Sequence, residues 1–406
     1  DVGGSIELLS TKALSRTLRE KHVNHVFTFK NPHFLGKSGC HPQAKLPHEG
    51  MNRGKNHVNV KNLTEETSKL RCLLNGACKF DVTDLAERAL SPQILHSVDY
   101  LDSQEAVDSL NADPYWPKWD SPWWHMTLLF EMGLADKIPD RALDAFQSAA
   151  SKHYIDVFPL REEEIPAGCD TTRNICCFCA LGTAMQIFEA RGLRSDELFP
   201  WARSWFARYQ IADGGYNCCE EVYLKETPRS SIVSTVPMLE ALLKLSERGL
   251  SDEEEAILER GIQYLLDRRL FKSLSKKDEV IDPDFLKLTF PRFYEYDVLR
   301  GLKLVTDWAV KRDKKLAWYA IQEAFSSVTF KVRTEDPGLD VERQFYAGKG
   351  TLAKDESGEW SRGHDASVFP LLEAVGALGP SPFLLRSFMY MYENVHNLTY
   401  SGRLEV

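Results

Sequence analysis

Six residues, Asp213-Gly-Gly-Tyr-Asn-Cys218, separate two helical patterns of opposite character and constrain the fold of this chain more than any other segment. Upstream, 201–210 reads as a helix with one polar face. The Gly-Gly pair then supplies the positive-φ turn that only glycine makes cheaply. Downstream, 231–245 (Ser-Ile-Val-Ser-Thr-Val-Pro-Met-Leu-Glu-Ala-Leu-Leu-Lys-Leu) is almost wholly apolar. A helix that is apolar nearly all round must be covered on both sides, so the turn joins an outer helix to an inner one. The same contrast recurs along the chain. Inner candidates fall at 121–134, 171–191, 230–249, 293–312 and 365–378, and outer candidates at 139–151, 195–210, 252–269, 315–329 and 381–395. Short helices over 83–90 and 93–111 precede them. Strand signals such as 328–332 are short and isolated, so the predicted class is all-α, a set of five or six helical hairpins. Loops near 155–170 and 333–362 should be the longest irregular ones, given their Gly, Pro and charge content.

Composition bounds the function. With 43% hydrophobic and 27% charged residues the chain is that of an ordinary globular protein long enough to bury a large core. It has no uncharged apolar run of membrane-spanning length, and its first residues lack a signal-peptide pattern, so no membrane insertion is expected. The net charge of −9 is uneven: residues 1–62 hold ten Lys/Arg against four Asp/Glu, leaving −15 on the rest. An acidic body argues against nucleic acid as a partner; a small-molecule substrate is the partner expected of a cavity enzyme. Residues 1–62 read as a basic, His-rich arm, with six of eleven His between 22 and 57, and 63–406 as one domain. The histidines fit either metal affinity or a solvated basic extension. Nine cysteines, an odd number with five in near-adjacent clusters, suit reduced thiols in a cytoplasm better than a disulfide framework.

Several segments resemble one protein group. They are Ser121-Pro-Trp-Trp-His-Met-Thr-Leu-Leu-Phe-Glu-Met-Gly133, Ile175-Cys-Cys-Phe-Cys-Ala-Leu-Gly182, Asp213-Gly-Gly-Tyr-Asn-Cys218, Phe290-Pro-Arg-Phe-Tyr-Glu-Tyr-Asp-Val-Leu-Arg-Gly-Leu302 and Gly363-His-Asp-Ala-Ser367. Together they look like the bacterial prenyltransferase-like and squalene-cyclase-like proteins of the terpenoid cyclase and protein prenyltransferase superfamily. The resemblance implies an α/α toroid and a cavity enzyme acting on an apolar, possibly isoprenoid, substrate. The chain departs from the better-known relatives in their chemistry. It has no Asp-Asp dipeptide, so neither a D-x-D-D acid nor a D-D-x-x-D magnesium site is present. Where prenyltransferase β-subunits carry a zinc-binding Asp, Cys and His, this chain offers Asp297, then Leu299 in place of the Cys, and His364.

Three constellations carry candidate chemistry. Cys176 and Cys179, expected one turn apart on the inner helix, and Cys218 and Cys219 in the loop before the next, offer four sulfurs for tetrahedral zinc; as small apolar residues they equally suit packing. Asp297, His364, Asp365 and Asp170 are the catalytic candidates, acid/base groups at inner-helix ends. Trp123, Trp124, His125, Arg173, Tyr216, Tyr296 and Arg300 are the substrate-binding candidates, aromatic and cationic groups that would shape a pocket. Asp170 as a helix cap and Asp297 with Arg300 as an ordinary i,i+3 pair are the structural alternatives. Two other functions remain open from these residues: a glycan lyase or hydrolase with paired carboxylates, and a non-catalytic binding module.

Overall fold

The computed structural model describes residues 82–405, apart from 277, 334–336 and 347–349; the arm expected over 1–62 and the start of the domain drawn from 63 lie outside the described residues. Helices dominate. α1 (Val82–Ala89), α2 (Ser91–Leu101) and α3 (Gln104–Ala112) come first. The helix expected over 93–111 is broken because Ser103 caps α3, its hydroxyl accepting the Ala106 amide at 3.1 Å. Next come α4 (Pro122–Glu131), α5 (Asp140–His153), α6 (Phe178–Ala190), α7 (Ser195–Leu198) and α8 (Ala202–Tyr209). The outer helix expected over 195–210 is split between α7 and α8 by Phe199 and Pro200. The rest are α9 (Glu220–Tyr223), α10 (Ile232–Leu245), α11 (Asp252–Asp267), α12 (Val298–Lys311), α13 (Trp318–Thr329), α14 (Pro370–Val375) and α15 (Pro382–Tyr400). No described helix is long and apolar enough to cross a membrane.

Burial separates the helices into layers as the apolar pattern predicts. Eleven of the fourteen residues of α10 are buried, against seven of sixteen in α11. The helices α4, α6, α10 and α12 pack side by side in that order, with α8, α11 and α13 packed together outside them. Contact between α6 and α10 is so close that a Cβ on Gly182 would stand 2.4 Å from the Pro237 carbonyl oxygen. The last pair differs from expectation. The helix expected over 365–378 shortens to α14, and α15, expected outside, packs on α12. From α15, Arg386 donates to the carbonyls of Glu131 and Met132, at 3.0 and 2.7 Å, and so ties α15 to the end of α4.

The Asp-Gly-Gly turn holds two hairpins together. Gly214 sits at φ +100°, with the Arg260 carbonyl 2.5 Å from where its Cβ would be. Gln210 donates to the carbonyls of Gly214 and Ile257, both at 2.8 Å, and its own amide oxygen accepts from Arg260. Asp213 accepts from the Ser230 amide and hydroxyl, pinning the turn to the start of α10. The side chains of Asp213 and Gln210 are thus spent on structure.

Among the described residues sheet is confined to three two-stranded pieces: β1 (Leu316–Ala317) with β6 (Leu404–Glu405), β2 (Asp340–Val341) with β5 (Gly379–Pro380), and the hairpin β3 (Gly350–Lys354) with β4 (Trp360–Asp365). The hairpin lies where an irregular loop and a helix start were expected. Asp355 accepts the amides of Ser357 and Glu359, and Gly358 takes φ +84°, so the chain turns back on itself. The strand signal at 328–332 falls instead at the end of α13. The loop 154–177 is irregular apart from a 3₁₀ turn at Glu162–Glu164, but 268–297 is longer, its described residues holding a 3₁₀ turn at Pro283–Leu286 and an isolated bridge between Lys272 and Val280.

Candidate metal centre

Cys177, Cys179 and Cys218 bring their sulfur atoms within 4.8 Å of one another. Two local features set this arrangement. Asp170 and Asn174 close a turn on each other, Asp170 accepting the Thr172 amide and Asn174 accepting the Asp170 amide, both at 2.9 Å. That turn delays the helix, so α6 starts at Phe178 with Cys177 at its N-cap and Cys179 in its first turn. On the facing side, the Tyr216 carbonyl accepts the Ser231 amide and the Cys218 amide donates to Ser234 Oγ at 3.1 Å. These bonds hold the loop after the glycine turn against α10.

The expected set of four is thus corrected in two members. Cys176 precedes the helix, is buried, and lines a different void of about 10 Å³ with Trp123, Phe146 and Trp201. Burial pushes its thiol well up. Cys219 is exposed, its amide bonded to Asn217. Cys177 takes the place expected for Cys176, and the Cys-x-Cys spacing on one helix start was the available signal. All six described cysteines are free.

The three sulfurs divide into one acceptor and two donors. Cys218 is held well below the ordinary thiol range by hydrogen bonds from Cys177 and Cys179, with Ser234 adding to them. A bond to Cys179, 3.0 Å away, draws Cys177 down, but its bond to Cys218 and its burial push it up to about 12. Cys179 rises too, through its bonds to Cys177 and Cys218 and through burial. Three sulfurs converging on one point are a thiophilic donor set. They satisfy three of the four positions of tetrahedral zinc and leave one open.

Aromatic rings lie beside the cluster. Cys179 lines a void of about 10 Å³, room for about one water, with Tyr115, Trp123, Trp124, Phe293 and Tyr294. Its two threonine hydroxyls are already spent, Thr127 donating to the Trp123 carbonyl and Thr183 to that of Cys179. Beside it, the ammonium of half-buried Lys118 stands over the rings of Tyr115, Trp116, Trp119, Trp124 and Tyr294, 4.6 to 5.8 Å from their centroids. It donates to Tyr294 Oη at 3.2 Å. Neither Lys118 nor Tyr294 was singled out in the sequence, where only the density of aromatics in Tyr115-Trp-Pro-Lys-Trp119 hinted at a box.

The other candidates are placed as follows. Asp297 is fully buried and caps α12: its carboxylate accepts the Arg300 and Thr289 amides and Arg292 Nε, at 2.9, 3.2 and 2.9 Å. It faces no cleft. Asp170 is exposed in its turn, and His364 and Asp365 lie on β4 rather than at a helix start, His364 bonded to Ser361 Oγ at 2.8 Å. No hydrogen bond or ion pair joins any two of these four among the described residues. A glycan-processing pair needs two carboxylates on one cleft, and Asp297 and Asp365 share none.

Trp123 and Trp124 line the aromatic cavity as expected of pocket residues. His125 is 2% exposed, stacked 3.6 Å from Phe369, with burial lowering its pKa. Arg173 pairs with Asp113 at 2.9 Å and lies over the Trp360 ring of the hairpin. Tyr216 and Tyr296 are buried, their hydroxyls donating to the carbonyls of Phe206 and Leu270. Arg300 forks onto Glu240 at 3.0 and 2.7 Å, between α12 and α10. Of the seven, only the two tryptophans stand on the cavity beside the thiols. Comparison with known protein families, curated proteins and solved structures finds no match to this chain.

Proposed function

We propose that this chain is a cavity enzyme on an α/α toroid, in which Cys177, Cys179 and Cys218 hold zinc at the wall of an aromatic pocket for an apolar small molecule. The order of packing α4, α6, α10, α12 and α15, with Arg386 returning to the end of α4, supports a ring. The motif resemblance to prenyltransferase-like and squalene-cyclase-like proteins points the same way, toward an isoprenoid-like substrate handled without D-x-D-D or D-D-x-x-D chemistry. One observation carries the reading: three sulfurs within 4.8 Å, one of them on the wall of a small void lined by five aromatic rings with Thr127, Ala180 and Thr183. Bound zinc would supply Lewis acidity at its open position. The chain's own part is to exclude water with Trp123, Trp124 and Phe293, and to present the Tyr115 and Tyr294 rings to the substrate.

Elemental analysis of protein purified without chelator tests this. About one zinc per chain is expected, lost in Cys177→Ser, Cys179→Ser and Cys218→Ser and kept in Cys176→Ser and Cys219→Ser. Metal-free, fully stable wild-type protein would leave the cysteines as packing residues and end the proposal.

A second reading, a non-catalytic module with a structural metal, draws on the small cavities and on the Arg300–Glu240 pair filling the space between α10 and α12. Chelation separates the two. Unfolding on metal removal favours the structural role, and an intact apo fold favours the enzyme.

A further inference from the structure

Three free thiols set face to face are also a store of two electrons. Cys177, Cys179 and Cys218 hold their sulfur atoms within 4.8 Å of one another, and none is in a disulfide. A disulfide needs its sulfurs about 2 Å apart, and side-chain rotation with a small shift of one segment closes such a gap. The pair Cys177 and Cys179, at 3.0 Å, stands two positions apart at one helix start, and a bond there would close a ring too small to relax into ordinary disulfide geometry. Cys218 comes from another segment and has no such restriction. Both other thiols hydrogen-bond to it. Between the Tyr216–Ser231 bridge and α9 its loop is tethered by side chains, the Cys218 amide on Ser234 Oγ at 3.1 Å and the Cys219 amide on Asn217 Oδ1 at 3.0 Å, so the loop has freedom to shift. Access then selects the partner. Cys218 and Cys177 are partly exposed, while Cys179 is buried.

The chemistry balances with a hydroperoxide as oxidant. The Cys218 sulfur, on which the other two thiols converge, attacks one peroxide oxygen; the S–O bond forms, the O–O bond breaks, and the leaving oxygen takes the thiol proton and departs as water or alcohol. The Cys177 sulfur then attacks the sulfur of the resulting sulfenic acid. The S–S bond forms, the S–O bond breaks, and hydroxide departs as water with the Cys177 proton. Two sulfurs have lost two electrons and the peroxide has gained them. We propose that Cys218 and Cys177 form a disulfide on reaction with a hydroperoxide, which makes this cluster a redox site. The bond ties the start of α6 to the loop before α10 and encloses roughly 40 residues. The inference goes beyond the metal reading and does not need it. Where zinc is bound, the same oxidation turns two of its three thiolates into disulfide sulfur and so expels it, a consequence that rests on the metal reading.

The test treats the full, reduced chain with a small excess of hydrogen peroxide, alkylates the remaining thiols and maps tryptic peptides by mass spectrometry. Peptides 174–191 and 209–225 carry the two cysteines, so the expected product is a cross-link between them that dithiothreitol reverses. Cys177→Ser and Cys218→Ser should each lower its yield at least ~10-fold. Cys176→Ser and Cys219→Ser should stay within about 3-fold of wild type, as should Cys179→Ser, which removes a metal ligand but neither sulfur of the bond. Wild type in which Cys177 and Cys218 are still alkylated at a dose that already oxidises exposed Cys219 would overturn the proposal, whatever the variants do. A cross-link through Cys179 would overturn the choice of Cys177. Zinc-loaded protein, followed with a chromophoric chelator, should release its metal in step with the cross-link. Protein that takes up no zinc, or keeps it after cross-linking, would overturn the metal reading and leave the disulfide standing, so the two failures are told apart.

Discussion

The two ends of the inner helices treat charge in opposite ways. Near the C-terminal ends of α6, α10 and α12 lies a cavity of about 140 Å³ walled by Gln186, Glu240, Lys244, Lys303, Asp307 and Lys311 among others. Its lysines are matched: Lys244 and Lys311 share Glu247, at 2.6 and 3.2 Å, and Lys303 meets Asp307 at 3.2 Å. Asp307 also accepts from Tyr390 and Asn394, which binds α15 to the same cluster. Lysines near helix C-termini also complement the helix dipoles, so this end is a scaffold in electrostatic balance. Around the N-terminal end of α6 the inventory is three converging thiols, an ammonium without a carboxylate partner among the described residues and a small aromatic-walled void. Saturated charge marks the end that holds the fold, and the unsaturated set marks the end with capacity left for a ligand.

Four measurements break or sharpen that contrast. The largest effect is expected at the bridge between the two ends. Arg300→Met strands Glu240 and frees the carbonyls of Phe293 and Glu295, and should cost about 3–5 kcal/mol in urea denaturation. A loss below about 1 kcal/mol would show that the interior pairs are not scaffold.

Metal affinity should depend steeply on pH. With the Cys177 thiol pushed up to about 12 and that of Cys179 raised as well, both hold protons at neutral pH and must release them to bind a metal. Affinity should therefore rise with pH by roughly two protons, about 2.7 kcal/mol per pH unit, until those thiols ionise. A flat profile by chelator competition from pH 6 to 8 would show that the cluster does not bind as three thiolates.

Packing between the ends is probed at Gly182. Adding a methyl there drives α6 off the Pro237 carbonyl, and Gly182→Ala should lose roughly 1–3 kcal/mol. A neutral or stabilising result would mean the helices can part, against the close contact that brings Cys179 toward the Cys218 loop. The smallest change is expected at Lys118. Because it has no carboxylate partner, Lys118→Met should alter apo stability by less than about 1 kcal/mol in the same denaturation series. A loss as large as that of Arg300→Met would move Lys118 from the ligand end of the comparison to the scaffold end.

Local pattern determined much of this protein. Apolar periodicity located α4, α6, α10, α12 and their partners to within a few residues except where capping intervened, because a helix face that must be buried is written into every third or fourth residue. Asp213-Gly-Gly announced its turn because positive φ has a residue signature. That Trp123 and Trp124 sit together on an apolar helix was legible, and both line the void beside Cys179. Tertiary structure decided the rest. Whether Cys176 or Cys177 meets Cys218 depends on a turn closed by Asp170 and Asn174, and a one-residue shift at a helix start points a side chain elsewhere. Asp297 was drawn into capping by Thr289 and Arg292 from a loop whose path no periodicity records. Lys118 acquired its box from Tyr294, 176 positions away. Such contacts arise only when distant segments pack, and a sequence read in local windows holds no term for them.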